Sequence, residues 1–342
     1  MTTRHPMPDT APRTSSSYPP ARPFAPGGDG LIRSQAPRFT DIHPLRLEDY
    51  VSGTPRRREA FARMLVAHLS ERGFFYLERP ASLLARHDLD GQFERYEATW
   101  QHALLAHPYL QELMPASSVF KTGYNATWYP ESTVVRQAIE AFMAKPATWS
   151  EFRRKLVPEP VRELLEASED AYRACHAVGS VLLEALEQGY GLRTGGLTRL
   201  FRRRTEGAVR FVKYHAPSVA RRRREVVAHA SEPHADKSFF TFNLGESRPG
   251  LVWLDGDVPR LMPNDAGHWL ITSGRFSEGL TRELDTPVRA FRHTVVNDGE
   301  RVVVLGFVTP EGDLHDLPLD AWPAPPLASG RMEPARAGGS RG

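Results

Sequence analysis

Cysteine is almost absent from this sequence, which has one, Cys175, among 342 residues. A single thiol excludes an internal disulfide and any site that needs several cysteines, such as a structural zinc site or an iron–sulfur cluster, and it is typical of a reducing compartment. No apolar run approaches the length that spans a membrane, and the N-terminus lacks the apolar segment of a signal peptide. We therefore expect a cytoplasmic protein without a membrane partner.

A large excess of charge of either sign is also lacking, since 44 basic residues face 41 acidic ones and leave a formal net charge of +3. Such a balance gives no general attraction to nucleic acid. The run Arg221–Arg224, preceded by Arg202–Arg204, could bind phosphate groups. Because no aromatic residues for base stacking lie nearby, we interpret this run as a solvated loop and expect no nucleic-acid partner.

Large apolar residues are scarce at both ends of the chain. Residues 1–37 and 323–342 are rich in small residues and proline and cannot bury enough surface to offset the entropy of ordering, so we predict two disordered tails. The whole sequence has 40% hydrophobic and 25% charged residues, which is typical of a globular protein, and we predict one folded domain over 38–322. Within it we predict a mainly helical part at 38–200 and a β-rich part at 208–310.

Two strong helices are predicted in the first part. The first begins at Thr54-Pro55, an N-cap followed by a proline, and ends at Gly73. A buried strand at 74–77 follows it, and a longer helix is predicted over 160–188. Shorter helices are predicted over 91–155, with a turn-rich insert at 121–130. The apolar stripe of the first helix consists of Phe61, Met64, Leu65 and Leu69.

Short β-rich segments separated by turn residues follow from position 208 onward. Many short strands at this spacing predict a sandwich or barrel, and the jelly roll is the version that commonly holds a metal in its mouth. We therefore predict an α+β fold, with a jelly-roll (double-stranded β-helix) core on which the N-terminal and central helices pack. The predicted strands are 208–215, 238–244, 250–255, 268–273, 287–296 and 301–308.

The triplet His234-Ala235-Asp236 and a later histidine, His293, form the candidate metal site. Two imidazoles and one carboxylate match the facial triad of non-haem Fe(II) oxygenases, which leaves positions open for a co-substrate and O2. His234 and Asp236 would point to one face of a regular strand. His293 lies 57 positions after Asp236, far enough for several strands to cross a barrel and return. The alternative is a surface histidine at 234 and a packed strand histidine at 293.

Arg301 follows His293 after a strand and a tight turn. If the returning strand pairs beside the strand of His293, the guanidinium points into the barrel, where it could clamp a dicarboxylate in a bidentate manner. The alternative is an exposed hairpin charge.

The order His-x-Asp, fifty to sixty residues, then His-x-Val-Val-Asn-turn-Arg resembles the 2-oxoglutarate/Fe(II)-dependent dioxygenases of the isopenicillin N synthase-like superfamily. Three further segments resemble that family: 55–77, its N-terminal helix with Arg-Gly-Phe-Phe; 160–189, its long central helix; and 209–215, a strand whose tyrosine matches Tyr214. The resemblance covers about 40–310. It implies that His234, Asp236 and His293 bind iron, and that Arg301 and Tyr214 bind 2-oxoglutarate.

The sequence departs from the family at three places on the co-substrate side. Val303 replaces the serine of the usual Arg-x-Ser, the hairpin before Arg301 is one residue shorter, and Val212 and His215 replace the common asparagine and proline beside Tyr214. The metal ligands are unaffected. The segment that contains His268 resembles an apolar strand of the family, and we interpret His268 as a residue of the barrel wall or of the core.

The resemblance implies an oxidoreductase that oxidises a small molecule with Fe(II), 2-oxoglutarate and O2. We expect a role in the synthesis of a specialised metabolite. Because the carboxylate of Asp236 is retained, hydroxylation, desaturation or ring formation is expected rather than halogenation. No catalytic residue beyond the metal ligands is indicated. An oxidase of the same fold that does not use 2-oxoglutarate, favoured by Val303, and a catalytically silent binding or sensor module are the alternatives. Neither the substrate nor the oligomeric state follows from the sequence.

Overall fold

The structure is a computed structural model, and it describes residues 42–80, 123–128, 134–142, 159–203, 205–215, 229–255, 258–263, 267–296 and 299–310. The tails predicted at 1–37 and 323–342 lie outside the described residues, as do the arginines at 221–224. None of the helices in the described ranges is long and apolar enough to cross a membrane.

The helices lie mainly before the core strands. The predicted N-cap is present, because Thr54 Oγ1 accepts a hydrogen bond from the Arg57 amide with proline at the next position. Met64 corrects the predicted stripe, since it is 41% exposed whereas the other three members are buried. The helices of the described ranges are α1 (Leu47–Val51), α2 (Pro55–Glu71), α3 (Glu159–Gly189), α4 (Gly196–Arg203) and α5 (Arg275–Thr281).

Gly73 joins α2 to the first strand. Its φ of +76° is in the left-handed region, and a Cβ there would lie 2.5 Å from the carbonyl oxygen of Arg289. Only glycine fits this close turn, so the strand enters the sheet directly beneath the helix that precedes it.

The described strands pair antiparallel in two sheets. They are β1 (Phe74–Glu78), β2 (Gly123–Trp128), β3 (Val134–Phe142), β4 (Thr205–Tyr214), β5 (His229–His234), β6 (Phe240–Glu246), β7 (Leu251–Asp255), β8 (Val258–Leu261), β9 (His268–Ser273), β10 (His293–Val296) and β11 (Arg301–Pro310). One sheet has seven strands in the order β1-β9-β6-β11-β4-β3-β2, and the other has four in the order β5-β10-β7-β8. This mixed arrangement of helices and antiparallel sheets confirms the predicted α+β class.

Several predicted elements are corrected. The prediction of helices with a turn-rich insert is wrong for β2 and β3, which lie within 121–142. Strand pairing determines the conformation here, because β3 is paired with β4 at seven successive positions. The strand predicted at 287–296 is limited to β10, and β5 and β8 were not predicted.

The seven-stranded sheet separates the apolar core from a cavity. Along β6, Phe240 and Phe242 are fully buried in the core with α3, whereas Thr241 and Asn243 line the cavity. This alternation is the two-residue period of a strand. The candidate site therefore lies on the face of the sheet opposite to α3.

Candidate metal centre and its cavity

The cavity is lined by residues from both sheets. Its wall combines aliphatic and aromatic side chains with nearly as many polar or charged ones, so it offers both apolar surface and directional contacts to a ligand. His234 and His293 come from the four-stranded sheet, and Arg301 and Tyr214 come from the seven-stranded sheet. All four of these predicted site residues line this cavity, together with Asp236.

The three predicted metal ligands lie together. His293 begins β10 and pairs in register with His234, the last residue of β5, so the centroids of their rings are 4.4 Å apart. Asp236 Oδ1 is 3.7 Å from His234 Nε2. One ligand atom from each of the three residues lies within 4.8 Å of the others, close enough for one ion to be bound by all three.

The placement of Asp236 differs from the expectation in one respect. The strand ends at His234, and Asp236 lies two residues beyond it rather than on the same regular strand. The two side chains nevertheless lie close together, with Asp236 Oδ1 near His234 Nε2. Pairing of β5 with β10, rather than strand periodicity alone, brings His293 beside His234 and Asp236.

Hydrogen bonds hold two of the three residues. The Thr241 hydroxyl donates to Asp236 Oδ2 at 2.8 Å, and the hydroxyls of Thr241 and Ser238 are 2.7 Å apart. His293 Nδ1 lies 3.1 Å from the carbonyl oxygen of Phe291. As a donor to that carbonyl, Nδ1 carries the proton and leaves the Nε2 lone pair for a cation.

Burial lowers the pKa of His293, against the opposing effect of the Asp236 carboxylate, which raises it. The neutral imidazole that this favours is the form that binds a metal ion.

Arg301 is buried, and the alternative of an exposed hairpin charge is wrong. It begins β11, is 4% exposed, and pairs in register with Tyr214, whose ring centroid is 5.1 Å from the guanidinium carbon. Nε donates to Glu246 Oε2 at 3.1 Å and to the carbonyl oxygen of Arg248 at 3.0 Å, and Nη2 also donates to Glu246. Nη1 is buried without a hydrogen-bond partner.

Glu246 is a functional candidate that the sequence does not reveal. Its side chain is 3% exposed and forms an ion pair with Arg301, 55 positions away along the chain. Burial would lower the pKa of Arg301, but the charge of Glu246 and contact with Tyr214 raise it above its ordinary value. The guanidinium therefore stays charged, with one edge committed to Glu246 and Nη1 available.

Two of the departures from the family are neighbours in the structure. Val303 pairs in register with Val212, and both belong to a buried apolar cluster with Tyr214 and Val295. The replacement of the usual serine and asparagine by two valines thus makes one continuous apolar patch between the two sheets. These changes act together on the wall beside Tyr214.

Two other histidines are placed away from the centre. His268 begins β9, pairs in register with Glu78, and is not among the residues that line this cavity. His229 lies at the opposite end of β5 from His234.

No protein-family model matches this sequence, and no curated protein matches it by sequence. Solved structures do match by fold. A full-length Neurospora crassa protein, solved in complex with alpha-KG (2-oxoglutarate) and 5-formyluracil, is 13% identical with a TM-score of 0.62 over 79% of this chain and 85% of its own. JOX2 in complex with 2OG, Fe and JA is 16% identical with a TM-score of 0.61 over 80% of this chain and 75% of its own.

A putative 2OG-Fe(II) oxygenase family protein from Caulobacter crescentus is 19% identical, with a TM-score of 0.59 over 78% of this chain and 86% of its own. Identities this low establish the fold rather than the activity. The resemblance drawn from the sequence is confirmed at that level: this chain has the fold of 2-oxoglutarate- and Fe(II)-dependent oxygenases.

Proposed function

We propose that this chain is a non-haem Fe(II)- and 2-oxoglutarate-dependent dioxygenase, in which His234, Asp236 and His293 bind iron and Arg301 and Tyr214 bind 2-oxoglutarate. The observation that carries the proposal is the meeting of the three ligand residues within 4.8 Å, in the wall of a cavity that also holds a buried arginine. The two sheets would be the halves of a jelly roll, with the metal between them.

The donor set suits Fe(II). Imidazole nitrogen and carboxylate oxygen are ligands of intermediate and hard character, and a site with two histidines and one carboxylate leaves positions for a chelating co-substrate and O2. The contact of Asp236 with Thr241 and that of His293 with Phe291 orient the ligands, as outer-shell hydrogen bonds do in metal sites.

The buried arginine suits a dicarboxylate. Arg301 Nη1 is buried without a partner, and a carboxylate that accepts from it would remove this cost. Arg301 and Tyr214 would hold the far carboxylate, and the apolar wall would exclude water. The chemistry that bound iron and 2-oxoglutarate would supply is oxidation of a substrate C–H bond by O2, coupled to decarboxylation of 2-oxoglutarate to succinate.

A second candidate is an oxidase of the same fold that does not use 2-oxoglutarate. The ion pair between Glu246 and Arg301 favours it, because a carboxylate of the protein already occupies one edge of the guanidinium. Val303 favours it too, since no hydroxyl is available there. The unpartnered Nη1 weighs against it, and we therefore keep 2-oxoglutarate in the leading proposal.

The substrate would be a small molecule, because the three ligand residues lie in the wall of a cavity that is lined by both apolar and polar side chains. The Neurospora crassa protein is crystallised with 5-formyluracil and JOX2 with JA, both small molecules. We propose hydroxylation, desaturation or ring formation of such a compound, in the synthesis of a specialised metabolite in the cytoplasm.

The test is an anaerobic titration of the full chain with Fe(II), with and without 2-oxoglutarate, followed by the weak visible charge-transfer band of the chelate. We expect the wild type to show the band. His234→Ala should lose both iron binding and the band, whereas Arg301→Ala should lose the band but still bind iron. His268→Ala and Arg282→Ala serve as controls, because the first lies outside the cavity lining and the second is exposed.

Three outcomes distinguish the dioxygenase, the oxidase and the catalytically silent binding module. A band that depends on Arg301 establishes the co-substrate. Iron binding without a band, together with O2 consumption on substrate screening, favours the oxidase. A chain that binds no iron is neither enzyme, and the silent binding module would then be the better description.

A further inference from the structure

We propose that Asn243 of β6 is a further co-substrate residue. Its amide NH2 group would donate a hydrogen bond to the oxo-acid end of 2-oxoglutarate, the end that chelates the metal, while Arg301 holds the opposite end. This inference rests on the proposed function, to which it adds a residue that the sequence motifs do not indicate.

The strand β6 reaches both ends of the proposed co-substrate site. Near the start of the strand, the Thr241 hydroxyl donates to Asp236 Oδ2. At the end of the strand, Glu246 forms the buried ion pair with Arg301. Asn243 lies between these two residues and lines the cavity. A molecule that extends from the metal ligands to Arg301 therefore passes the side chain of Asn243.

A β-bulge lets Asn243 and Glu246 face the same cavity. Asn243 pairs in register with Leu305 and Glu246 pairs with Val303, so three steps along β6 correspond to two steps along β11. On a regular strand, residues three positions apart point to opposite faces. The extra residue in β6 returns Glu246 to the cavity side, where it meets Arg301.

Asn243 lies nearer to the metal ligands than to Arg301. Two residues along β6 separate it from Thr241, which corresponds to about 7 Å. Its partner Leu305 is four residues from Arg301 along β11, or about 13 Å. Glu246 pairs two residues along β11 from Arg301 and holds the guanidinium within this gap. The far carboxylate would therefore meet Arg301, and the oxo-acid end would meet Asn243.

The amide of Asn243 is placed so that its donor end faces the cavity. The residue is only partly buried, but its Oδ1 is buried and has no hydrogen-bond partner among the described residues. The NH2 group is therefore the end of the amide that remains for the cavity. The carboxylate and keto oxygens of a 2-oxo acid accept hydrogen bonds, so the two groups are complementary.

The neighbours of Asn243 provide no reason for a polar side chain at this position. In register with it lie Leu305 and Leu270, and both line the cavity. A buried carbonyl oxygen without a donor costs free energy, and a leucine at this position would avoid that cost. A ligand that accepts from the NH2 group accounts for the asparagine.

The test separates the two ends of the co-substrate. 2-Oxoglutarate has both ends, whereas 2-oxopentanoate keeps the oxo-acid end and lacks the far carboxylate. Anaerobic titration of the Fe(II)-loaded full chain, followed by the chelate band, gives a Kd for each ligand. Asn243→Leu should weaken both ligands by a similar factor, on the order of tenfold, because it removes a donor to a charged group. Arg301→Ala should weaken 2-oxoglutarate and leave 2-oxopentanoate unchanged.

Two further variants sharpen the test. Asn243→Asp keeps the shape of the side chain and places a negative charge beside the oxo acid, so it should weaken both ligands more than Asn243→Leu does. Thr272→Val is the matched control, because it removes a polar group from the same wall, in the row of Thr241. It should change neither Kd. Thermal unfolding without metal should show an equal or higher Tm for Asn243→Leu, because no hydrogen bond to Oδ1 is lost.

Unchanged Kd values for both ligands in Asn243→Leu would overturn the proposal. A loss confined to 2-oxoglutarate would also overturn it, because Asn243 would then act at the far carboxylate. A lower Tm together with weaker binding of Fe(II) itself would show a structural role instead. A wild type that binds iron but shows no band with either 2-oxo acid would remove the dioxygenase function as well. A band that forms equally well without Asn243 would remove this inference alone.

Discussion

At the scale of single residues, the ion pair between Arg301 and Glu246 determines the charge that a ligand meets at the Arg301 end of the cavity. With side chains only 4% and 3% exposed, the two form a buried ion pair with no net charge. A far carboxylate that binds Arg301 would add a second negative group beside Glu246. The repulsion between two buried carboxylates acts over a short distance in a medium that screens weakly.

Glu246→Gln should therefore strengthen the binding of 2-oxoglutarate, by about tenfold, because the amide removes the competing charge. Tyr214 and the Arg248 carbonyl still orient the guanidinium. The same change should lower the free energy of unfolding by a few kcal/mol, on the order of the cost of an unpaired buried charge. The measurements are anaerobic titration of the chelate band and denaturant unfolding.

Glu283→Gln is the matched control, because Glu283 is exposed and should change neither quantity. Weaker 2-oxoglutarate binding in Glu246→Gln would contradict the prediction. It would show that Glu246 serves chiefly to hold Arg301 in place.

Among the elements, α3 and β11 pack closely against each other in the core. A Cβ built on Gly306 of β11 would lie 2.4 Å from Cys175 Sγ of α3, but 3.5 Å from the Cys175 Cβ. Gly306 is therefore required by the approach of the helix to the strand rather than by backbone conformation. The thiol itself is fully buried, and burial raises its pKa, so it is a packing group rather than a nucleophile.

Gly306→Ala should lower the free energy of unfolding by about 1–3 kcal/mol through overpacking. Cys175→Ala removes the sulfur that the new methyl group would meet, so the double variant should be more stable than the sum of the two single changes predicts. Denaturant unfolding of the four proteins measures this coupling. Strict additivity would show that α3 moves away to accommodate the methyl group and that the sulfur is not the obstacle.

The helices and strands also show which parts of the fold could be predicted from the sequence. The helix α2 was predictable because Thr54, Pro55 and Gly73 mark its ends locally. The strand β5 was not, because HASEPH has no apolar alternation and is a strand only through pairing with β10. The metal ligands were identified from a motif with fixed spacing, whereas Glu246 and Asn243 depend on partners or neighbours brought together by register.

For the whole molecule, the candidate site spans both sheets. His234 and His293 belong to the four-stranded sheet, and Arg301 and Tyr214 belong to the seven-stranded sheet. A ligand held at both ends would therefore connect the two sheets across the cavity. Ligands that bind only the folded state raise its stability according to their concentration relative to Kd.

Mn(II) can replace Fe(II) in such sites and is not readily oxidised by O2. We expect Mn(II) to raise Tm, and we expect 2-oxoglutarate to raise Tm further only when the metal is present. At about 100 times Kd each ligand contributes about 2.7 kcal/mol, or on the order of 4 °C for a chain of this size. Thermal unfolding with each ligand alone and with both measures the two increments. His234→Ala should lose both, and Arg301→Ala should lose only the second. A 2-oxoglutarate increment that is equally large without metal would contradict a chelate that spans the two sheets, since the dicarboxylate would then bind through the arginine alone.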